Sequence, residues 1–303
     1  MSLPTFDQLR AQAHRAHRPV GVVAAGGADS TVLQALATAA SWGWVRPLVT
    51  GAGDQLAAVA RDAGVDLSAF ELLPTDSPAE TALEAIADGR AEVLMKGQID
   101  TPALVRALLD PRYGQRIGRT IFQVVLMEIP HHDRRFLLSD TGVTIAPTLP
   151  QKQQILLGTI QVAQALGTPE PRVALVAATE KLNPAMPETV EIVELRRLAE
   201  EGRFGSARVE GPLSFDLAYA REAGSRKAIA GAVVGAADAL VFPNLLSANL
   251  TVKAIMYTAD CRFGGLLYGA RCPVVFMSRA DDVETRLNSL ALALACRPET
   301  SGG

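Results

Sequence analysis

Apolar and polar positions along the chain follow two periods that take turns. The opening segment reads as an amphipathic helix of about 14 residues with Phe6, Leu9 and Ala13 on one face. A β-branched run at 20–25 (VGVVAA) ends in Gly26-Gly27, and Asp29 then caps a helix running to about residue 40. The unit repeats as strand 47–49, helix 54–62, strand 70–73 and helix 77–87. Strand 93–95 follows, closed by Lys96-Gly97, and a helix at 101–109 carries Pro102 in its first turn. Strands alternating with helices predict right-handed crossovers and a largely parallel sheet.

The rhythm changes after residue 119. Two β-like runs, 120–127 and 135–138, flank the polar segment IPHHDRR and predict an antiparallel hairpin. A helix at 150–166 stops at Gly167, with Pro169 and Pro171 beyond it. Alternation then resumes: strand 173–177, helix 187–200, strand 207–209, helix 214–223, strand 239–242 and helix 248–258. Apolar runs at 263–268 and 274–277 precede a last helix at 281–295. The fold class expected is α/β in two domains, 1–146 with 276–303 and 147–275. No period of 20 to 50 residues recurs.

A length of 303 residues agrees with two domains and a core large enough to stand without staples. Twenty-nine basic against 32 acidic residues leave a net charge of −3, which argues against nucleic acid and against a polybasic membrane anchor. An anionic small ligand needs only a local arginine cluster. Cys261, Cys272 and Cys296 are too few and too scattered for a disulfide framework or a CxxC metal site, and fit a reducing cytosol. The first residues lack a secretory signal, and no apolar run reaches 18 residues. The expectation is a soluble cytoplasmic protein with no membrane partner.

Five segments invite chemistry, each with a plain structural alternative. Arg106, Arg112, Arg116 and Arg119, interleaved with Gly114 and Gly118, form either an anion-binding cluster or a solvated basic loop. Gly26-Gly27-Ala28-Asp29-Ser30 sits where a strand opens into a helix, the place for a phosphate, yet it matches no dinucleotide or Walker motif. As a simple tight turn it needs no ligand. His131-His132-Asp133 lacks a third ligand at zinc spacing and reads as a turn, and His14 and His17 read as surface residues. Ser278-Arg279-Ala280-Asp281-Asp282 follows the strand VVFM, where open α/β sheets bind ligands, and its aspartates equally suit helix capping. Residues 243–249 (PNLLSAN) join a strand end to a helix and place Asn249 either against a ligand or in a cap.

Several segments together resemble the phosphate acetyl/butyryltransferase family. They are LMKGQIDT (94–101), YGQRIGRT (113–120), SDTGVTIAPTLPQKQQIL (139–156) and ATEKLNPAMPETV (178–190). GPLSFDLA (211–218), ADALVFPNLLSANLTVKAI (237–255) and PVVFMSRADDVETRLNSLALA (273–293) complete the series in order. The SDTGVTIAP run and the SRAD ending resemble the butyryltransferase branch more than the acetyltransferase branch. The first 85 residues resemble the family only in their strand–helix rhythm.

The resemblance implies an enzyme that moves a short acyl group between coenzyme A and inorganic phosphate. It implies an isocitrate/isopropylmalate dehydrogenase-like fold of two α/β domains, an active site in the interdomain cleft, and a homodimer or larger homo-oligomer. Family catalytic residues map onto Ser278 and Arg279, and the arginines for phosphate or coenzyme A onto Arg116 and Arg119. Lys96 and Asn249 join them as substrate-binding candidates. In acetyltransferase relatives an Asp several residues past the Ser-Arg pair is the proposed base for the thiol. The aligned residue here is Thr285, which leaves Asp281, Asp282 or Glu284 for that role, with Asp281 the candidate carried forward. Partners expected are acyl-CoA, inorganic phosphate and acyl phosphate, with coenzyme A as substrate and no metal or redox cofactor. The rival readings are a binding protein that has lost catalysis and an NAD-dependent hydroxyacid dehydrogenase on the same fold. The latter needs metal-binding carboxylates for which no DxxxD helix is found.

Overall fold

The computed structural model describes residues 2–16, 18–276, 278 and 281–297. Its elements open with α1 (Phe6–His14), β1 (Val20–Ala25), α2 (Ser30–Ser41), β2 (Val45–Gly51), α3 (Gly53–Ala63) and β3 (Glu71–Pro74). They continue with α4 (Pro78–Ala87), β4 (Val93–Lys96), α5 (Thr101–Leu109), β5 (Phe122–Ile129), β6 (Arg134–Ser139) and α6 (Leu149–Ala165). Next come β7 (Arg172–Val176), α7 (Pro187–Glu200), β8 (Arg208–Leu213), α8 (Phe215–Tyr219), α9 (Arg221–Lys227) and β9 (Ala239–Val241). The last are α10 (Leu245–Thr258), β10 (Arg262–Tyr268), β11 (Val274–Val275) and α11 (Val283–Ala295).

Internal packing divides the chain into two compact units, with cuts after Thr5, Arg119 and Arg262. These differ from the expected boundaries at 146 and 275, and the strand pairing gives the reason. The β5–β6 hairpin belongs with the residues C-terminal to it, because β6 runs parallel to β9 with Leu137 beside Ala239. Residues from Phe263 onward join the earlier stretch instead, since β11 runs parallel to β4 with Val274 beside Leu94.

The first unit, Phe6–Arg119 with the chain from Phe263, orders its strands β3-β2-β1-β4-β11-β10. All pairs are parallel except β10–β11. Every residue of β1 and β4 is buried, which is why β1 and residues 93–95 of β4 read as apolar runs rather than as alternation. Phe6, Leu9 and Ala13 of α1 are buried as their spacing predicts, and α11 packs on α1 and α2.

The second unit, Thr120–Arg262 with residues up to Thr5, orders its strands β5-β6-β9-β7-β8. Its pairs are parallel apart from the hairpin. The helix expected at 214–223 is instead two short ones, broken where Ala220 takes an extended conformation. Helix α10 starts at Leu245, earlier than its periodicity predicts, because the Asn244 side chain accepts from the Ser247 N–H and sets the cap there. Among the described residues no helix is long and apolar enough to cross a membrane.

Candidate functional site

Three loops at the carboxyl ends of neighbouring strands β1, β4 and β11 hold the candidates Lys96, Ser278 and Asp281 of the first unit. The loop after β1 meets the loop after β4 almost atom to atom. Gln98 N donates to the Gly26 carbonyl at 2.6 Å, and a Cβ on Gly97 would lie 2.1 Å from that same oxygen. A Cβ on Gly27 would lie 2.1 Å from Val49. Glycine is therefore required here for backbone packing. The N-terminus of α2 already holds a carboxylate: Asp29 Oδ1 accepts from Val32 N at 3.0 Å and from the Thr31 hydroxyl at 2.7 Å. This is the tight-turn alternative for residues 26–30.

Asp29 is buried and also accepts from Gln98 Nε2 at 2.8 Å. Burial pushes its carboxyl up, but the hydrogen bonds from Thr31 and Val32, the Arg286 guanidinium and the Gln98 amide outweigh that and hold it below the ordinary value. Arg286 is 2% exposed. Its Nε donates to Thr31 Oγ1 at 2.7 Å, and its Nη2 lies 3.8 Å from Asp29 Oδ2 and 3.5 Å from the Ser278 carbonyl.

After β11 the three carboxylates weighed as a base separate by role. Asp281 Oδ2 accepts the backbone N–H of Ser278 at 2.7 Å, closing the turn on which the exposed Ser278 sits. Asp282 caps α11, its Oδ1 accepting from Thr285 N at 2.8 Å. Glu284 pairs with Arg10 at 2.6 Å. Thr285 is itself buried in the first turn of α11. Geometry thus associates Asp281 with Ser278 and gives its two neighbours structural partners. Arg279 lies outside the described residues.

The arginine cluster also divides. Arg112 is held by Asp110, with Nη2 2.6 Å from Oδ2, and its guanidinium lies 5.3 Å from the Tyr113 ring centre. Arg116 and Arg119 are exposed on the following loop, where Arg116 forms an antiparallel bridge with Ala270. Burial pushes the Tyr268 hydroxyl up, opposed by the charge and hydrogen bond of Arg119. Lys96, at the end of β4, is buried and its Nζ donates to the Gly97 carbonyl at 3.4 Å.

In the second unit the loop after β6 is organised by Asp140, which sequence reasoning passed over. This carboxylate is 3% exposed and accepts backbone N–H groups from Gln123, Gly142, Val143 and Thr144 at 2.6–3.1 Å. The signal was available: Asp followed two residues later by Gly is turn chemistry. Asn249 joins the same loop, donating from Nδ2 to the Thr141 carbonyl at 3.0 Å. Lys152, also unremarked in the sequence, is buried and paired with Glu191 beside Val176 and Phe242. The adjacent histidines take different partners: His131 Nε2 lies 2.9 Å from Asp260, and His132 Nδ1 2.8 Å from the Tyr219 hydroxyl.

A family model described as phosphate acetyl/butaryl transferase matches residues 73–294. The chain belongs to this family. The phosphate butyryltransferase of Clostridium acetobutylicum is 35% identical over 268 residues, 88% of this chain and 89% of the relative. The phosphate acetyltransferase of Thermotoga maritima is 38% identical over 220 residues, 73% of this chain and 75% of the relative. Among solved structures, a branched-chain phosphotransacylase from Enterococcus faecalis V583 superposes with a TM-score of 0.82 at 30% identity, covering 91% of this chain and 98% of the other. The matched stretch contains Lys96, Arg116, Arg119, Asn249, Ser278 and Asp281, whereas Asp29 precedes it.

Proposed function

We propose that the protein catalyses reversible transfer of a short acyl group, butyryl or acetyl, from acyl-CoA to inorganic phosphate, giving acyl phosphate and coenzyme A. Membership of the family, over a stretch that includes the Ser278–Asp281 turn, carries this reading. In the direction that forms acyl-CoA, the thiol proton passes to the Asp281 carboxylate and the thiolate sulfur attacks the acyl phosphate carbonyl carbon. The tetrahedral intermediate then collapses, breaking the carbon–oxygen bond and releasing phosphate. Ser278 donates a hydrogen bond to the oxyanion, and Arg279 balances its charge and that of phosphate. Arg116, Arg119 and Lys96 bind the anionic parts of the substrates, guanidinium forks being suited to phosphate oxygens. Asn249, whose Nδ2 donates to the Thr141 carbonyl, is the remaining substrate-binding residue of this reading.

No electron changes hands in these steps, so no redox cofactor is assigned; coenzyme A is a substrate, and none of the steps is assigned to a metal. The division into two α/β units supports the isocitrate/isopropylmalate dehydrogenase-like fold. The unpaired thiols of Cys261, Cys272 and Cys296 support a cytoplasmic location. A homo-oligomer belongs to the same proposal. Leu246, Leu250 and Tyr257, each at least 60% exposed, share one face of α10 and supply an apolar surface for a second copy.

The deciding experiment follows free thiol from butyryl-CoA and from acetyl-CoA, with and without phosphate, in EDTA and without NAD. Phosphate-dependent release is expected. Binding of acyl-CoA without turnover, or a rate lost in EDTA and restored by a divalent ion, would overturn the proposed mechanism.

A further inference from the structure

Burying an arginine is costly, and a buried ion pair is commonly no more stabilising than apolar residues of the same volume. Arg286 is nonetheless buried in α11, in the first unit, with its guanidinium between the segments that follow β1 and β11 rather than in solvent. It touches the loop after β1 through Thr31 and Asp29, and the loop after β11 through the Ser278 carbonyl. Asp29 extends the chain of contacts to the loop after β4 through Gln98, two residues from Lys96. Strands β1, β4 and β11 are consecutive in the sheet, so one cation and one anion tie together three neighbouring strand ends. Asp281 and Asp282 add to the negative field around the same guanidinium.

From this arrangement we infer that Arg286 is a positioning residue for acyl transfer, tying Ser278 to Asp29 and Thr31 so that Ser278 meets the substrate in one geometry. Lysine is not its equivalent: an ammonium is a compact charge on a flexible stem, whereas the planar fork addresses Thr31 with Nε and the other two partners with Nη2. The residue acts through Ser278 and has no contact with the reacting atoms of its own.

The inference rests on the proposed role of Ser278, and the test separates the two. Arg286→Lys is measured alone and in a Ser278→Ala background, with kcat, KM for phosphate and KM for acyl-CoA determined in each. Alone, it is expected to lower kcat about tenfold with both KM values within threefold. In the Ser278→Ala background the further loss is expected to be under twofold, since the group being positioned is gone. Additive losses, or an unchanged kcat for Arg286→Lys, would overturn the positioning role while leaving Ser278 in place. A Ser278→Ala enzyme with full activity would overturn both. Should Arg286→Lys fail to fold, Thr31→Val removes the Nε acceptor without emptying the site and passes through the same cycle, with a kcat loss of about threefold expected.

Discussion

Asp281 and Asp282 are adjacent in sequence and have different jobs: the first accepts the Ser278 N–H at 2.7 Å, the second caps α11 at Thr285 N. Substitution separates them. Asp281→Asn retains an oxygen able to accept the Ser278 N–H but loses the carboxylate proposed as base, so kcat is expected to fall by about a hundredfold or more with little change in Tm. Asp282→Ala is expected to lose about 1 kcal/mol of stability, the usual worth of an N-cap, with kcat near that of the parent. Steady-state rates and thermal melts of both variants check this. A fully active Asp281→Asn would remove Asp281 from the mechanism.

Arg116→Ala and Arg119→Ala are expected to raise KM for phosphate or acyl-CoA, each by the equivalent of about 1.5–3 kcal/mol for a charge-assisted contact. Arg112→Ala serves as the comparison, because its guanidinium is already engaged by Asp110 and Tyr113. Equal KM values in all three variants would return Arg116 and Arg119 to a solvated loop.

Gly97→Ala places a methyl group against the Gly26 carbonyl oxygen, where only 2.1 Å is available. Overpacking of this kind costs about 1–3 kcal/mol. Chemical denaturation is expected to show that loss at neutral pH. A stability equal to the parent would mean that the two loops separate easily, and would weaken the case for a fixed alignment of these strand ends.

Asp29 gives a pH signature of definite sign. Its folded-state carboxyl lies below the ordinary value of 3.8. The stabilisation is therefore complete above that ordinary value and fades as the pH falls through the depressed one. Asp29→Asn is expected to be less stable than the parent at neutral pH, with the gap closing in strong acid. Urea midpoints of both proteins from neutral pH down to about 2.5 measure it. A gap that stays constant across this range would show that no charge at Asp29 is linked to folding.

Element types were largely legible in the chain because β1, β4 and the amphipathic α1 carry their environment in their spacing. Where residues 120–139 belong was not. A hairpin announces that two strands pair with each other, yet only the distant β9 fixes which unit receives them. At the site, Ser278 and Asp281 stood out because strand end, turn and family pattern coincide there. Arg286 did not, since an arginine on a helix reads as solvent-facing until Thr31 and Asp29, hundreds of residues away, are brought to it. Asp140 escaped for a related reason: its role lies in four backbone groups, which no side-chain pattern displays.

The cuts after Arg119 and Arg262 impose an order of events on synthesis. Leu94 emerges from the ribosome long before Val274, the neighbour that completes its side of the sheet. Through that interval β4 presents an unpaired edge at the middle of its unit, a template for misassociation. Residues 120–262 are contiguous and can collapse as soon as they are made, whereas the flanking unit must wait for both of its pieces. A chain released after residue 262 therefore holds every strand of one unit and leaves the sheet of the other open. Chaperone capture is expected to concentrate on that earlier-made half.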